Sequence, residues 1–578
     1  MTMRKSRSLL RAAAALAAAA LAGCNDTSMP HPPTTVDPVG SAAVSGTAGK
    51  PVADSIAVKV TDADGFPVRG VEVMWITQPG SGTVSPATSV TNSSGIARTQ
   101  WTLGTTAGTQ AMYAAVSLLE DEAQFTATAA PGPAATVQVA PTPLSLLVGE
   151  QRALTVTVRD QYGNAVSGGF PTPVLNSSAP LVASVNGTTA QGNSPGTAQI
   201  TATVAGVPGT GFTDVTVARP VIASLSRGGN SEAICALDTA GNAFCWGFSN
   251  SYAAGQAGGN AVRPRMIAGG HHFTKVSTNG LGVSCGLESG MVWCWGQVGQ
   301  SGGNPVLTTT PVLAAGPTNM TDIAFGRYAC AIQAQNTPYC WNGYITGEPA
   351  VVVGGGPFHG VEASATQSCI LRASSLPWCW GDNTDLQLGR DQTGCNPSGA
   401  PVTYTCPAPA PITNIQVYSG GLRLGVDNSC GSTGGATWYC WGRADYNLLQ
   451  QPEPKQCRLQ VGLFSYLDTC TKDPVPMSTT PPLVSLTPGW DAICGLTAAG
   501  QAYCWGAGFS GQLGNGSTAD NPTPTAVAGG HTFTSLAAGG VFFCGIDNAG
   551  QVWCWGQNDS GQLGNGTTTD SPVPVAVF

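Results

Sequence analysis

The side chains with the most chemistry to offer are thiols: the chain of 578 residues holds 19 cysteines. Fourteen fall into seven pairs, Cys235/Cys245, Cys285/Cys294, Cys330/Cys340, Cys369/Cys379, Cys430/Cys440, Cys494/Cys504 and Cys544/Cys554, and a tryptophan follows every second member. Close thiols serve metal binding, redox exchange or disulfide bonding. Structural zinc sites favour about two to four residues between ligands. These pairs have eight or nine, with almost no histidine nearby, so disulfides are expected and no metal or cofactor is. Cys395/Cys406 and Cys457/Cys470 make two further pairs, which leaves only Cys24 over. Nine bridges require an oxidising, exported setting.

The spacing fits hairpin geometry. Between Cys494 and Cys504 a three-residue loop 498–500 puts the cysteines opposite one another, with Gly500 at the place that wants a left-handed backbone. Gly241, Gly550 and Asn336 hold the same place in their repeats. The pair Cys285/Cys294 is one residue closer, and a two-residue turn at Ser289-Gly290 restores the register. Counting outward places the cysteines on a non-hydrogen-bonded pair, close enough to bridge. The tryptophans Trp246, Trp295, Trp341, Trp380, Trp441, Trp505 and Trp555 read as packing residues of a repeat fold rather than a ligand platform.

The elements that must carry these hairpins are short strands and turns. Charged residues are only 9% of the chain, Gly and Pro number 77 and 42, and no sustained helical periodicity follows the N-terminus. At the N-terminus Arg4, Lys5, Arg7 and Arg11 precede an apolar run of signal-peptide size. It ends Leu21-Ala22-Gly23-Cys24, which resembles a bacterial lipobox; the resemblance implies cleavage before Cys24 and lipidation of its sulfur. Asn25 after that cysteine points to an outer-membrane or cell-surface destination. Residues 1–23 carry four positive and no negative charges, so their loss takes the formal charge from −8 to −12. Nucleic acid is therefore not an expected partner.

Residues 24–41 read as a flexible tether, 42–130 and 131–218 as two β-sandwiches, and 219–578 as the repeat domain. VTDADGFPVRGVEVMW (from Val60) and TNSSGIARTQWTLG (from Thr91) are similar to bacterial Ig-like repeats of invasin-type adhesins, which implies core roles for Trp75 and Trp101. LTVTVRDQYGNAV (from Leu154) resembles another bacterial Ig-like group. Asp62-Ala63-Asp64-Gly65 reads as an Asp-rich turn, because the remaining ligands of a calcium loop are missing.

The seven repeats, clearest in AGGHTFTSLAAGGVFFCGIDNAGQVWCWGQNDSGQLGNGTTTDSPVPV, resemble regulator-of-chromosome-condensation repeats in a secreted, cysteine-bearing form. That resemblance implies a seven-bladed β-propeller. The array starts at PVIASLS (from Pro220) with no complete blade before it and ends on PVPVAVF (from Pro572), so one blade is expected to be completed by strands from both ends. The fold class is then all-β: two Ig-like sandwiches followed by the propeller. Two insertions interrupt the pattern, after DLQLG (385–389) and after YNLLQ (446–450), each with its own cysteine pair. They are expected as side-by-side loops on one face, with Lys455, Arg458, Phe464 and Tyr466 as candidate partner-binding residues. His271 and His531, at equivalent repeat positions, read as structural.

No nucleophile, base and acid constellation is legible, so an enzyme is not expected. The leading expectation is a lipid-anchored, monomeric binding or adhesion protein for an extracellular protein or glycan. Nucleotide exchange on a GTPase and inhibition of a secreted enzyme are the alternatives that family analogy offers.

Overall fold

A computed structural model describes residues 31–578 except 118, 227–231, 249–252, 256, 280–281, 302–303, 327–328, 342–344, 346, 348, 353–356, 373–374, 399–402, 419, 435, 451–454 and 462–463. For strand residues 301, 397–398, 403–404, 455–461 and 464–468 only the backbone is described. The signal segment and Cys24 lie outside the described residues. The fold is all-β, with two Ig-like sandwiches followed by a propeller. Two compact units are distinguished: the chain to Gln138 with Val156–Val174 and Ala202–Gly211, and Val139–Thr155 with Leu175–Thr201 and Phe212–Phe578.

The first sandwich pairs a four-stranded sheet with a five-stranded one. Trp75 and Trp101 are buried between them, and their indole N–H groups donate to Ser89 Oγ (2.9 Å) and the Ser81 carbonyl (2.7 Å). Its first strand, Thr35–Pro38, starts inside the stretch expected to be tether. Val36 explains why: it is buried in the core, and its strand pairs antiparallel with Ile56–Thr61. In the second module a four-stranded sheet runs in the order Leu144–Leu147, Gly211–Ala218, Gly196–Thr203, Val174–Ser177.

Asp62 is a turn builder. Its Oδ1 accepts the N–H groups of Asp64 and Phe66, and Asp160 Oδ1 likewise accepts those of Tyr162 and Asn164. Burial opposes ionisation of Asp160, yet these bonds, with those from the Asn164 amide and Gly132 N–H, hold its carboxyl at about 2. Asp238 and Asp547 make the same turn inside the propeller. Among the described residues no group of three or more His, Cys, Asp or Glu is placed to hold a metal ion.

Seven sheets form the blades: residues 222–266, 275–313, 320–351, 358–411, 422–477, 485–526 and 533–576. In each, the second and third strands form the cysteine hairpin. The repeat pairs sit directly opposite in register, Cys235 with Cys245, Cys285 with Cys294, Cys330 with Cys340 and Cys369 with Cys379. Cys430 with Cys440, Cys494 with Cys504 and Cys544 with Cys554 complete the set. All seven are bridged, with Cα atoms 4.0–4.2 Å apart. That is the narrow, non-hydrogen-bonded spacing.

All fourteen of these cysteines are buried, and Cys245, Cys294, Cys379 and Cys440 on the third strands are at most 1% exposed. Oxidised and shut away from solvent, they staple the core and offer no surface to a ligand. Gly500 has φ +79° and Asn336 +63°, while Ser289 and Gly290 both take positive φ in the shorter turn. The loop changes length and the cysteines stay opposed.

Within Cys-Trp-Gly, consecutive side chains leave opposite faces of the sheet. Each tryptophan therefore packs towards the preceding blade and the disulfide towards the following one. Six indole N–H groups donate to a carbonyl of the preceding blade, at 2.9–3.1 Å: Trp246 to Gln562, Trp295 to Ala253, Trp341 to Ala315, Trp441 to Gln387, Trp505 to Leu448 and Trp555 to Gln512, all but Ala315 lying in the loop between that blade's third and outer strands. Trp380 is buried in the core it shares with Cys330 and Cys340 of the preceding blade. In Gly-Gln-Leu-Gly the Gln side chain closes its own turn, as Gln512 Oε1 accepting from Ser510 N–H shows. The last glycine must stay bare, since a Cβ on Gly514 would lie 2.8 Å from Trp555 Cδ1 and its φ is +66°.

The ring does not close by strand exchange, contrary to expectation. Ile222–Leu225 is the inner strand of the first blade and Ser571–Ala576 the outer strand of the last, so every blade is continuous in sequence. The repeat array is in phase at both ends, which leaves no partial blade to complete. Closure uses the Trp246–Gln562 bond, Gly566 N–H donating to the Val262 carbonyl, and Phe578 set edge-on against Phe244 and Trp246. Removing one inter-blade hydrogen bond tests the seam. Trp505→Phe leaves the Leu448 carbonyl without its buried donor and opens a small void, for an expected loss of about 2–4 kcal/mol in denaturant titration.

Candidate interaction face

The two insertions are strands rather than loops. In the fourth blade Asn396–Ser398 adds a fifth, outermost strand against Thr403–Pro411, and Cys395 bridges Cys406 with Cα atoms 4.1 Å apart. In the fifth, Phe464–Met477 is long enough to pair with its own blade through its second half and with Lys455–Val461 through its first. The insertion thus lengthens an existing strand and folds a hairpin onto it. Phe464 is in register with Val461, Tyr466 with Leu459 and Arg458 with Leu467, while Lys455 faces Cys470. The side chains of Lys455, Arg458, Phe464, Tyr466 and Cys457 lie outside the described residues. Cys470 is disulfide-bonded and buried.

Adjacent hairpins are joined at their bases. Lys472 Nζ lies 4.0 Å from Asp391 Oδ1, and the Asn414 amide donates to Asp473 Oδ1 at 3.4 Å. The root of the fifth-blade hairpin is fixed from within: Asp445 Oδ1 accepts both the N–H and the hydroxyl of Thr469, at 2.8 Å each.

Asp445 belongs to a network that sequence reading missed. Arg443, directly after Cys-Trp-Gly of the fifth blade, reaches Asp445 Oδ2 (2.7 Å), Asp491 Oδ1 (3.3 Å) of the sixth blade and Asp427 Oδ2 (3.6 Å). Trp490, exposed at the rim, donates its indole N–H to Asp427 Oδ2 at 3.1 Å. Burial pushes Asp427 up to about 6 against the pull of Arg443, and the negative charges of Asp382 and Asp491 add to the rise. Burial also opposes the charge on Arg443, yet the surrounding carboxylates hold it firmly protonated. Tyr446 and Phe509 are exposed on the loops that join the third to the outer strands of the fifth and sixth blades.

His271 and His531 pack tilted against Trp293 and Trp553, with centroids 4.5 and 4.1 Å apart, and His271 Nδ1 donates to Glu288 Oε2. Both serve packing. The signal that marks them is the repeated Gly-Gly-His before an inner strand.

The sequence profile of the regulator of chromosome condensation (RCC1) repeat matches residues 499–546 and 549–578, and a second profile of that repeat matches 533–562. The propeller carries RCC1 repeats. Comparison with curated proteins by sequence returned no match. Among solved structures, the chain is similar to human WBSCR16 at 16% identity, covering 58% of this chain and 94% of that one, with a TM-score of 0.47. It is similar to yeast RCC1 (Prp20), crystallised bound to Kap60, at 18% identity over 62% of this chain and 75% of that one, TM-score 0.35. The Escherichia coli adhesin FdeC matches at 15% identity over 49% of this chain and 98% of that one, TM-score 0.24. Eight bridges with both partners described give this RCC1-repeat propeller the signature of an extracytoplasmic protein.

The network makes a pH prediction. The folded state holds a proton on Asp427 up to about pH 6, whereas the unfolded chain releases it near its ordinary 3.8. Folded protein binds more protons in between, so this group's contribution to stability is present below about pH 4 and lost as pH rises to about 6. Thermal melts across that window should show the loss in the wild type and a flatter profile in Asp427→Asn. An unchanged slope assigns the titration elsewhere.

Proposed function

We propose that the chain is a lipid-anchored extracytoplasmic binding protein whose propeller recognises an extracellular protein or glycan. The anchor rests on the lipobox-like ending at Cys24, and the two sandwiches act as spacers between anchor and propeller. What carries the reading is the pair of extended hairpins on neighbouring blades, tied by Lys472–Asp391 and rooted through Asp445–Thr469. Stability of the ring needs neither hairpin, since four strands suffice in the other five blades. Ordered, disulfide-bearing additions confined to one sector are the usual place for recognition in a repeat fold.

The test is binding of purified chain to host cells and extracellular matrix extract, with the double variant Phe464→Ala/Tyr466→Ala beside the wild type. A fall of about tenfold or more in affinity is expected from the loss of two aromatic anchors, with melting temperature unchanged. Full binding by the double variant removes this sector as the recognition surface. Cys24→Ser should release the protein from the membrane fraction without affecting binding.

A further inference from the structure

The strands of each blade run antiparallel from the inner edge outwards. The connections from inner to second strand and from third to outer strand therefore share one face of the ring, and the added hairpins belong to that face. These connections are counted from the residue after each repeat tryptophan and, in the fifth blade, as far as Asp473. Their described side chains comprise eleven carboxylates against three cations. With the charged residues of the same connections whose side chains are not described, Lys455 and Arg458 among them, the totals are fourteen and seven. All other positions from Arg219 to Phe578 carry five carboxylates and six cations. The whole net negative charge of the propeller thus belongs to one face, which attracts cations and steers them in.

The seam between blades five and six gives that face an anchor. Trp490, between inner and second strands of the sixth blade, is 38% exposed, and its indole N–H donates to Asp427 Oδ2. The ring is thereby fixed on one side and open on the other. Asp427, Asp445 and Asp491 share Arg443, three carboxylates to one guanidinium. Beside Asp427, Asn428 is fully buried; its Nδ2 donates to the Trp490 carbonyl at 3.5 Å, while its Oδ1 has no partner among the described residues. Tyr446 and Phe509 are exposed on the same face. An open indole among carboxylates and a spare acceptor suits an ammonium or guanidinium group. An anionic glycan would be repelled here, and a neutral one gains nothing from the charge.

We propose that this face docks a basic segment of an extracellular polypeptide, with a Lys or Arg side chain seated on Trp490 and against Asp427. The inference rests on the binding reading above and names the chemistry of its partner.

The experiment titrates the mature chain with deca-arginine, decalysine and decaglutamate peptides, followed by fluorescence anisotropy. Both cationic peptides should bind saturably and decaglutamate should not, with affinity falling about tenfold or more between about 0.02 M and 0.2 M salt. Trp490→Ala should weaken deca-arginine about fivefold or more, and Trp490→Tyr, which keeps an aromatic face, should restore most of it. Deca-arginine should also compete with the binding of the chain to host cells. Absence of binding by both cationic peptides overturns the proposal, as does equal binding of decaglutamate. So does full affinity in Trp490→Ala, which would reduce the effect to unspecific charge. Failure of the hairpin reading shows elsewhere, as full cell binding by Phe464→Ala/Tyr466→Ala.

Discussion

Everything in the propeller hangs on a two-sided contact generated by three residues. Cysteine and tryptophan adjoin in sequence, so a pleated strand sends them to opposite faces, and the glycine that follows in six of the seven repeats takes a positive φ where the register shifts before the loop to the outer strand. The disulfide of one blade and the indole of the next share each inter-blade core, through to Cys544 and Cys554 with Trp246 where the ends meet. The indole N–H must find an acceptor there, because burying it unpaired would cost about 1–3 kcal/mol. The loop carbonyl of the preceding blade supplies it. One phrase thereby sets strand register within a blade, packing between blades and the path of the connecting loop.

Much of this was legible because it is local. Cys494 and Cys504 oppose each other by counting from Gly500, and the Ser289-Gly290 turn passes the same count with one residue fewer. The partner of Trp505 was not legible, since nothing in the sequence near it mentions Leu448. The insertions read wrongly for a related reason. KQCRLQV and FSYLDTC alternate well enough for strands, but an interruption of a repeat reads first as a loop, and only the sheet reveals that Phe464–Met477 continues its blade. Ring closure went wrong on phase: the opening PVIASLS read as a strand without a blade of its own, whereas Ile222–Leu225 is the inner strand of the first blade. Arg443, Asp427, Asp445 and Asp491 escape a sequence reading because a charge network assembled from two blades leaves no spacing to count.

Sparse charge makes such placements informative. With so few ionisable groups, several of the charged contacts between blades lie where blades four to six meet: Glu362 with Arg423 along the axis, and the half-buried Arg443 with its carboxylates at the rim, while Asp238 is buried in the first blade. The hairpins extend the same two blades outward. Axis, rim and outer edge of a single sector thus depart from the repeat, while blades six and seven keep it almost unaltered and bury uncharged contacts at their seam.

The seam also has a direction. Every blade offers a disulfide on one side and an indole on the other, so neighbouring blades meet head to tail and not face to face. A duplicated or deleted repeat would present its neighbours with the same two half-contacts they already make. The gain or loss of a whole blade by an ancestral gene would therefore reuse this core contact rather than require a new one.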